Sequence, residues 1–476
     1  MLLPGNWLKQ GRHVLPLLAV LACGAAGASE IDGRQLQAAW GVPFAGLLLC
    51  IALCPLLAPK FWHHHFGKLT FFWGALFLLP FAMWFGAQAA GSAFWHALVG
   101  EYIPFVILLT ALFAVSGGIY IRGNLRGSPA LNTGILAIGA MAASLMGTTG
   151  ASMLLIRPLI RANDNRIHKT HVFVFFIFIV SNVGGSLTPL GDPPLFLGFL
   201  KGIDFFWTFK HLFPATFFVT GALLLLFFAM DSHFYRHREE TQDIDPTPDT
   251  VRLGFDGQFN FVLLLCIVGL VLMSGIWRSS VAFDVFGVSI ALPGLVRDLG
   301  LVAVVVCSIK TTANPVHQAN QFSWGPMAEV AKLFAGIFLT IVPVIAMLRA
   351  GVDGPFGAIV ASVTRVDGSP NPLAYFWAAG ALSSFLDNAP TYLVFFNLAG
   401  GDPQVLMTTL APTLAAISAG AVFMGANSYI GNAPNLMVKA IVEDRGFVMP
   451  SFFGYMLWSV TILLPLFLIA GWIWFQ

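Results

Sequence analysis

Charged residues are scarce in this sequence, and their scarcity excludes several classes of protein. Only 10% of the 476 residues are charged, with 24 Lys and Arg against 22 Asp and Glu. A soluble domain has about 25% charged residues, so the composition excludes a soluble enzyme. The near balance of the two signs excludes a nucleic-acid partner. Because 57% of the residues are hydrophobic, the chain also has too much apolar surface for intrinsic disorder.

Cysteines and catalytic motifs are also scarce. The five cysteines lie in apolar runs without a CxxC pair, so we interpret them as small hydrophobic side chains, and we expect neither a disulfide framework nor a resident metal. The sequence has no HExxH motif, no phosphate-binding glycine loop and no nucleophile–base pair. We therefore expect no enzyme and no cofactor, and a membrane-embedded enzyme or scaffold stays as a third hypothesis.

Long apolar segments are abundant, and the mean hydropathy is +0.81. At about 20 residues per crossing, they predict an all-α polytopic protein in a lipid bilayer, with about ten spanning helices and two re-entrant hairpins. The predicted spans are residues 42–58, 69–88, 102–121, 131–147, 170–203, 206–230, 258–277, 295–310, 327–348, 405–443 and 451–475. Two further stretches, 148–160 and 373–400, are interrupted by polar residues and are predicted to be re-entrant.

The distribution of basic residues predicts the orientation of the chain. Residues 1–29 have the pattern of a secretory signal peptide, with a basic start, an apolar stretch and a small-residue cleavage site near Ala28; an uncleaved first helix is the alternative. Lys60 and Lys68 follow the first span, no Lys or Arg follows the second, and Arg122 and Arg126 follow the third. By the positive-inside rule, the mature N-terminus is predicted to be periplasmic in a bacterial inner membrane.

A polar stretch rich in Asp, Glu and Pro, residues 231–257, divides the sequence. We interpret it as a water-exposed cytoplasmic linker, because no span could include it. The predicted organisation is a signal peptide (1–29), an N-terminal outer segment with two spans (30–101), a first repeat (102–230), the linker (231–257) and a second half (258–475) with a second repeat at about 327–475.

The two halves share polar motifs at nearly one spacing. Thr148-Thr149 lies 239 residues before Asp387-Asn388, and Gly191-Asp192 lies 240 residues before Gly431-Asn432. The spacing indicates an internal repeat. When the first re-entrant stretch is placed on the cytoplasmic side, the positive-inside rule puts the second on the outer side. Inverted repeats with paired broken helices are typical of secondary transporters, which bind substrate near the bilayer midplane.

Polar residues interrupt two of the predicted spans, at 181–194 and at 425–435. Such breaks leave backbone N–H and C=O groups unpaired, so they persist where they line a polar cavity. Hydroxyl, amide and carbonyl oxygens there suit a small cation such as Na⁺, whereas half-helix N-termini equally suit a carboxylate. The candidate ion-binding residues of the breaks and the re-entrant tips are Thr148, Thr149, Ser181, Asn182, Thr188, Asp192, Asp387, Asn388, Asn427, Ser428 and Asn432.

Three charged residues near these breaks each allow two interpretations. Asp192 and Asp387 are carboxylates at predicted membrane depth, a position that indicates function by default, and we predict that they exchange a proton for a cation. Each also stands shortly before a proline, as a residue that only caps a helix N-terminus does. Arg157 lies near the predicted cytoplasmic edge, where we interpret it as reaching lipid headgroups; a role toward an anionic substrate is the alternative.

The motifs Ser181-Asn182, Gly191-Asp192-Pro193-Pro194, Asp387-Asn388-Ala389-Pro390 and Gly425-Ala426-Asn427 together resemble the ion transporter superfamily, over roughly residues 100–475. The resemblance is to a sodium:proton antiporter, citrate transporter-like branch related to D-type antiporters. It implies two re-entrant hairpins whose tips meet unwound helices, in a homodimer with an elevator-like movement. Thr148-Thr149 replaces the acidic residue and Asn of D-type antiporters, which counts against tight multi-carboxylate cation coordination. The Ser-Asn-Thr signature of dicarboxylate carriers is missing, which counts against di- or tricarboxylate recognition.

The sequence therefore predicts a secondary active transporter of a small ion or an organic anion. The primary hypothesis is a proton-coupled Na⁺ or Li⁺ antiporter in which Asp192 and Asp387 carry the exchange. The alternative is a transporter of citrate or another organic anion coupled to Na⁺ or H⁺. Only the coupling ion, Na⁺ or H⁺, is expected to bind besides the substrate.

Overall fold

The chain forms a bundle of apolar helices. The structure is a computed structural model, which describes residues 32–123, 125–237 and 253–476. Within these residues, eight helices are long and apolar enough to cross a membrane, and a bent pair makes a ninth. The predicted all-α polytopic membrane fold is thereby confirmed. The predicted signal peptide, residues 1–29, and most of the predicted linker lie outside the described residues.

The N-terminal region begins with short 3₁₀ turns at Gly33–Gln35 and Ala38–Gly41. Its helices are α1 (Val42–Leu57), α2 (Pro59–Phe85), α3 (Ala87–Trp95) and α4 (Ile103–Gly117). A π-helical stretch, His96–Tyr102, joins α3 to α4, so that residues 87–117 make one apolar span. Strand β1 (Tyr120–Arg122) follows α4.

The first half continues with a helical hairpin and an interrupted helix. The elements are the hairpin arms α5 (Pro129–Met146) and α6 (Thr148–Ala162), the halves of the interrupted helix α7 (Thr170–Ile179) and α8 (Pro193–Leu200), and the long helix α9 (Trp207–His237). A 3₁₀ turn at Val183–Ser186 and irregular backbone separate α7 from α8. Proline stands at the first turn of α8, where its missing N–H leaves no helical hydrogen bond unmade.

Strand β2 (Gly254–Asp256) pairs antiparallel with β1, so the last residues of the predicted linker are attached to the strand that follows α4. The second half then runs through α10 (Phe259–Ile276), the β-hairpin of β3 (Ala282–Val285) and β4 (Val288–Ala291), α11 (Leu292–Thr311), α12 (Asn314–Ala319), α13 (Gly325–Thr340), α14 (Val342–Arg349) and α15 (Gly357–Ser362). Helices α13 and α14 are the bent pair, with an angle of 42°.

The end of the second half repeats the plan of the first. Its elements are the hairpin arms α16 (Pro372–Ser383) and α17 (Asn388–Leu398), the short α18 (Pro403–Met407), the interrupted helix α19 (Ala411–Phe423) and α20 (Ala433–Asp444), then α21 (Phe452–Trp458) and α22 (Leu464–Trp474). A 3₁₀ turn, Met424–Asn427, begins the second break.

Each helical hairpin returns the chain to the side from which it came. Asn132 near the start of α5 and Asn163 just after α6 exchange two side-chain hydrogen bonds of 2.9 Å. In the second hairpin, the rings of Tyr375 and Phe395 lie 6.2 Å apart at the ends far from the tip. The segment predicted to span the membrane at residues 131–147 is the first arm of this hairpin, and its length and composition are those of a span. The chain turns into the second arm at Gly147, with φ of 82°.

One correction concerns Asp231, which was predicted to begin the water-exposed linker. Helix α9 continues to His237, and Asp231 is fully buried. Its carboxylate pairs with Arg166 at 2.7 Å and with His171 at 2.8 Å, which compensates for the burial of the charge.

Hydrogen bonds at the two breaks recur with a spacing of 240 residues. Ser144 Oγ donates to Gly184 O at 2.6 Å, and Ser384 Oγ donates to Met424 O at 3.2 Å. The hydroxyl of Thr188 donates to Ser144 O, and that of Ser428 donates to Ser384 O. Each break is thus attached to its neighbouring hairpin in the same way, so the two segments are equivalent in structure as well as in spacing.

Candidate ion-binding site

The hairpin tips and the helix breaks meet at a cavity of about 110 Å³. Its polar lining comes from both halves of the chain: Thr148, Thr149, Asp192, Asp387 and Asn432. Its apolar wall comes from α4 and α13, through Leu108, Leu112, Phe113, Met327, Val330 and Phe334. The polar groups therefore face an apolar surface contributed by helices outside the two hairpins and the two interrupted helices.

Glycine lets the first break pack tightly enough to build this site. A Cβ atom on Gly184 would lie 2.6 Å from Ala140 Cα, and one on Gly191 would lie 2.1 Å from Gly185 O. Gly191 O in turn accepts a hydrogen bond of 2.8 Å from Thr148 N, the first amide of α6. The glycines thus bring the tip of the first hairpin directly against the break.

Asp192 is the centre of the polar cluster. Its side chain is 1% exposed. Thr148 Oγ1 donates to its Oδ1 at 2.9 Å, Asn432 Nδ2 donates to the same atom at 3.1 Å, and Asn388 Nδ2 donates to Oδ2. These three partners belong to the first tip, the second break and the second tip. One carboxylate therefore joins all the elements that meet at the cavity.

Asparagine side chains extend this cluster into the protein. Asn432 Nδ2 also contacts Ser181 O at 3.1 Å and Asn182 Oδ1 at 3.2 Å. Asn182 Nδ2 donates to Asn435 Oδ1 at 2.7 Å, and Asn435 Nδ2 donates to Ser428 O at 2.9 Å. These amides satisfy backbone carbonyls that the breaks release from helical pairing, which is necessary at membrane depth.

The two predicted carboxylates differ in their relation to the helices that follow them. Asp387 caps α17, because its Oδ1 accepts from Ala389 N at 3.0 Å, yet it is only partly buried and also lines the cavity. Asp192 precedes Pro193 at the start of α8, but its side chain makes no capping hydrogen bond. Asp192 is therefore held by side chains from other elements rather than by its own helix.

One acceptor beside Asp192 has no partner among the described residues. Asn388 donates to Asp192 through Nδ2, while its Oδ1 is buried and accepts no hydrogen bond. Thr149, from the first tip, lines the same cavity. Around Asp192 the structure therefore places carboxylate, amide and hydroxyl oxygens, which are the ligands that hard cations prefer.

Several predicted residues lie outside this cluster. The hydroxyls of Thr188 and Ser428 hold the hairpin tips by donating to backbone carbonyls. Asn427 Nδ2 donates to Ser384 Oγ at 2.9 Å, and the Ser181 hydroxyl lies 2.9 Å from Ser152 Oγ. We interpret these side chains as supports that fix the shape of the breaks.

Sequence reasoning missed Ser144, Ser384 and Asn435, although all three fix the breaks. A signal for the two serines was present, because they are themselves 240 residues apart. A spacing of 240 residues also pairs Thr148 with Asn388, and both side chains donate to Asp192. The spacing of 239 in the sequence comparison pairs Thr148 with Asp387 instead. No comparable signal marks Asn435, whose partners are defined only by the fold.

The fold and the cavity define a multi-pass membrane transporter, and comparison with known proteins identifies its family. Residues 33–475 match the model of the family described as "Putative citrate transport". The chain belongs to this family.

Two bacterial relatives support the same class. An uncharacterized transporter of Mycobacterium bovis and one of Mycobacterium tuberculosis are each 25% identical to this chain over 359 residues. Each alignment covers 73% of this chain and 78% of the relative. The names of both relatives state transport without a substrate.

Proposed function

We propose that this protein is a proton-coupled cation antiporter, exchanging Na⁺ or Li⁺ for protons at the Asp192 cavity. The observation that carries the proposal is the charge of the cavity lining. Among the described residues, two aspartates line the cavity and no Lys, Arg or His does. A cation would be attracted there, whereas a carboxylate substrate would face two carboxylates without a compensating positive charge.

The chemistry of exchange follows from the partners of Asp192. An ionised carboxylate only accepts hydrogen bonds, and Thr148, Asn388 and Asn432 all donate to it. A dehydrated Na⁺ requires several oxygen ligands, which Asp192, Asp387 and Asn388 Oδ1 would supply. A proton on the carboxylate would remove its charge and with it the attraction for the cation. Proton and cation would then occupy the site alternately.

The setting of the transporter belongs to the same proposal. The basic residues after the first and third spans favour a bacterial inner membrane with a periplasmic mature N-terminus. The matching contacts of the two breaks are consistent with inverted repeats that move the site across the bilayer. The resemblance to the ion transporter superfamily adds a homodimer with an elevator-like movement.

A second candidate function is transport of citrate or another organic anion coupled to Na⁺ or H⁺. The description of the family favours it. In that case the cavity would hold the coupling cation, and the carboxylate substrate would need donors other than the start of α8, where Pro193 and Pro194 have no N–H and Leu195 N already donates to Asp192 O. The two candidates differ in whether a chloride salt of Na⁺ or Li⁺ alone moves protons.

Everted membrane vesicles from antiporter-deficient cells test the proposal. We would energise the vesicles, follow ΔpH with a fluorescent probe, and add NaCl, LiCl, KCl and sodium citrate separately. We expect NaCl or LiCl to dissipate ΔpH promptly, and Asp192→Asn and Asp387→Asn to abolish the response. Asn is a good helix cap, so Asp387→Asn keeps α17 capped while removing the ionisable group.

Asp402→Asn provides a matched control. Like Asp387, Asp402 caps a helix: its Oδ1 accepts hydrogen bonds from Gln404 N and Val405 N at the start of α18, which begins with Pro403. Unlike Asp387, it is exposed and lies outside the cavity. Its variant should exchange ions like the parent protein. If no chloride salt changes ΔpH, the antiporter proposal fails, and uptake of labelled citrate becomes the measurement for the second candidate.

A further inference from the structure

Arg157 is a buried arginine outside the ion-binding cluster. It is 6% exposed and lies in α6, eight residues after Thr149. It therefore does not extend to a lipid-facing surface, and the interpretation that it reaches lipid headgroups from an exposed position is wrong. Among the described residues, Arg157 forms one hydrogen bond, a long one of 3.4 Å from Nη2 to Gln321 Oε1.

Two of the donors of Arg157 have no partner. Nε and Nη1 are buried and form no hydrogen bond with any described residue. No described Asp or Glu forms an ion pair with Arg157. An unpaired buried guanidinium is costly, so its retention indicates an anionic partner.

Other cationic groups surround this position. Arg161, one turn further along α6, donates to Tyr120 Oη at 3.2 Å and to Ile121 O at 2.6 Å, while its Nε is buried without a partner. Helix α20 packs against α6 and ends just before Arg445, whose positive charge acts on both guanidinium groups. Three arginines thus converge where α6 and α20 end.

The contact with Gln321 is held by a strained backbone. Gln321 has a φ of 48°, a left-handed conformation that residues other than glycine rarely adopt. The neighbouring Asn320 fixes this turn, because its Nδ2 donates to Gly117 O at 2.9 Å and to Ile119 O at 2.7 Å. Strain of this kind is concentrated at binding sites, which favours a ligand site bounded by this turn beside Arg157.

An apolar cluster separates this position from the Asp192 cavity. Phe113, Met153 and Met327 pack together, with Phe322 and Met437 against them. Met153 lies one helical turn after Thr149, which lines the cavity, and one turn before Arg157. This apolar cluster therefore lies between the arginines at the end of α6 and the carboxylates at its start.

We infer that Arg157, with Arg161 and Arg445, forms a second site that binds a small oxyanion, a carboxylate or a phosphate group. The planar guanidinium of Arg157 presents Nε and a terminal nitrogen in the fork geometry that binds two oxygens of such a group. Positive-inside topology places this site at the cytoplasmic mouth of the transporter. The inference goes beyond the proposed exchange, because it concerns a different ligand at a different position.

Binding measurements on the purified full-length protein test the inference. The protein would be placed in nanodiscs of neutral phosphatidylcholine in Na⁺-free buffer, and potassium citrate or potassium phosphate would be titrated against KCl of equal ionic strength. We expect either oxyanion to bind by calorimetry and to raise the apparent Tm. Arg157→Gln should weaken the apparent Kd about tenfold or more.

Matched variants separate this site from misfolding and from the ion site. Arg365→Gln removes an exposed arginine elsewhere and should leave binding unchanged. Gln321→Glu keeps Arg157 but places a carboxylate beside it, which should compete with the ligand and weaken binding as well. Asp192→Asn should retain oxyanion binding even if it abolishes ion exchange, so the two proposals fail independently.

The source of the anion is distinguished by changing the lipid. Binding of free citrate or phosphate in neutral nanodiscs, lost in Arg157→Gln, supports a site for a soluble anion. Stabilisation only in nanodiscs with phosphatidylglycerol, again dependent on Arg157, supports the same site occupied by a lipid phosphate. Equal behaviour of the parent protein and Arg157→Gln in both lipids overturns the inference.

Discussion

The two helix breaks share a framework but differ in charge. Thr188 and Ser428 make equivalent bonds to the neighbouring hairpins, and Gly191 and Gly431 make equivalent close approaches. At the residue after this glycine, just before the following helix, the first break has Asp192 and the second has Asn432. The framework is therefore duplicated, whereas the carboxylate is present once.

At the hairpin tips, the carboxylate belongs to the second half rather than to the first. The first tip turns at Gly147 and presents the neutral Thr148, while the second presents Asp387 and Asn388. Each half thus contributes one carboxylate, from its break in the first half and from its tip in the second. The comparison teaches that the features common to both halves supply the geometry of this cavity, and that the positions at which the halves differ supply its charge.

Exchanging the charge between the breaks should have the largest effect. Asn432→Asp would place a second carboxylate where Asn432 Nδ2 now lies 3.1 Å from Asp192 Oδ1. Like charges so close cost several kcal/mol, so we expect Na⁺-dependent dissipation of ΔpH to fall about 100-fold or more. The double variant Asp192→Asn with Asn432→Asp restores a single carboxylate and should recover part of the activity.

Asn397→Asp is the control for this exchange of charge. It introduces the same carboxylate into the second hairpin, but beside Arg349 rather than in the cavity. It should leave exchange close to that of the parent protein. If Asn432→Asp alone exchanges ions as well as the parent protein, the expectation that only one of the two breaks can have a carboxylate is contradicted.

The bases of the two hairpins offer a comparison of stability. At the first, Asp231 pairs with Arg166 and His171 in a fully buried network. Asp231→Asn leaves the Arg166 charge buried with a weakened partner, and we expect a loss of about 3–5 kcal/mol. The measurement is the apparent Tm of the purified protein; Asp353→Asn, at an exposed acidic residue, should leave it unchanged.

At the second hairpin, a hydrogen bond of 2.8 Å from Arg349 Nε to Asn397 Oδ1 lies at the corresponding end. Because this contact is only partly buried, Asn397→Ala should cost about 1–2 kcal/mol. Comparing the apparent Tm of Asn397→Ala with that of Asp231→Asn checks this ranking of the two stability losses. A larger loss in Asn397→Ala would show that the charged network is not what fixes the first hairpin.

The smallest effects are expected where the two breaks are equivalent. Thr188→Val and Ser428→Ala each remove one hydroxyl that donates to a hairpin carbonyl. Each should lower stability by about 1 kcal/mol, and the two losses should agree within the error of the Tm measurement. Clearly unequal losses would indicate that the two attachments do not have the same role.

Much of the candidate site could be predicted from the sequence, for a physical reason. Glycine, proline and asparagine within an apolar helix are unfavourable unless the helix is meant to break, so residues 181–194 and 425–435 are visible in composition alone. Asp192, Asn388 and Asn432, which meet in the structure, all lie within or beside such interruptions.

The errors occurred where composition carries no information about partners. Asp231 was assigned to the linker because Arg166, the residue that neutralises it, lies 65 positions earlier. Arg157 was interpreted as an interfacial residue because Gln321 lies 164 positions away. Each error depends on a contact between distant segments, which only the fold reveals.

The β1–β2 pairing has a practical consequence for handling this protein. Tyr120–Arg122 and Gly254–Asp256 attach the second half to the first by backbone hydrogen bonds, independently of the peptide link between residues 238 and 252. Helices from the two halves also pack together, as α6 does against α20. The transporter should therefore tolerate cleavage of that link, and two fragments coexpressed from separate genes should copurify as one assembly.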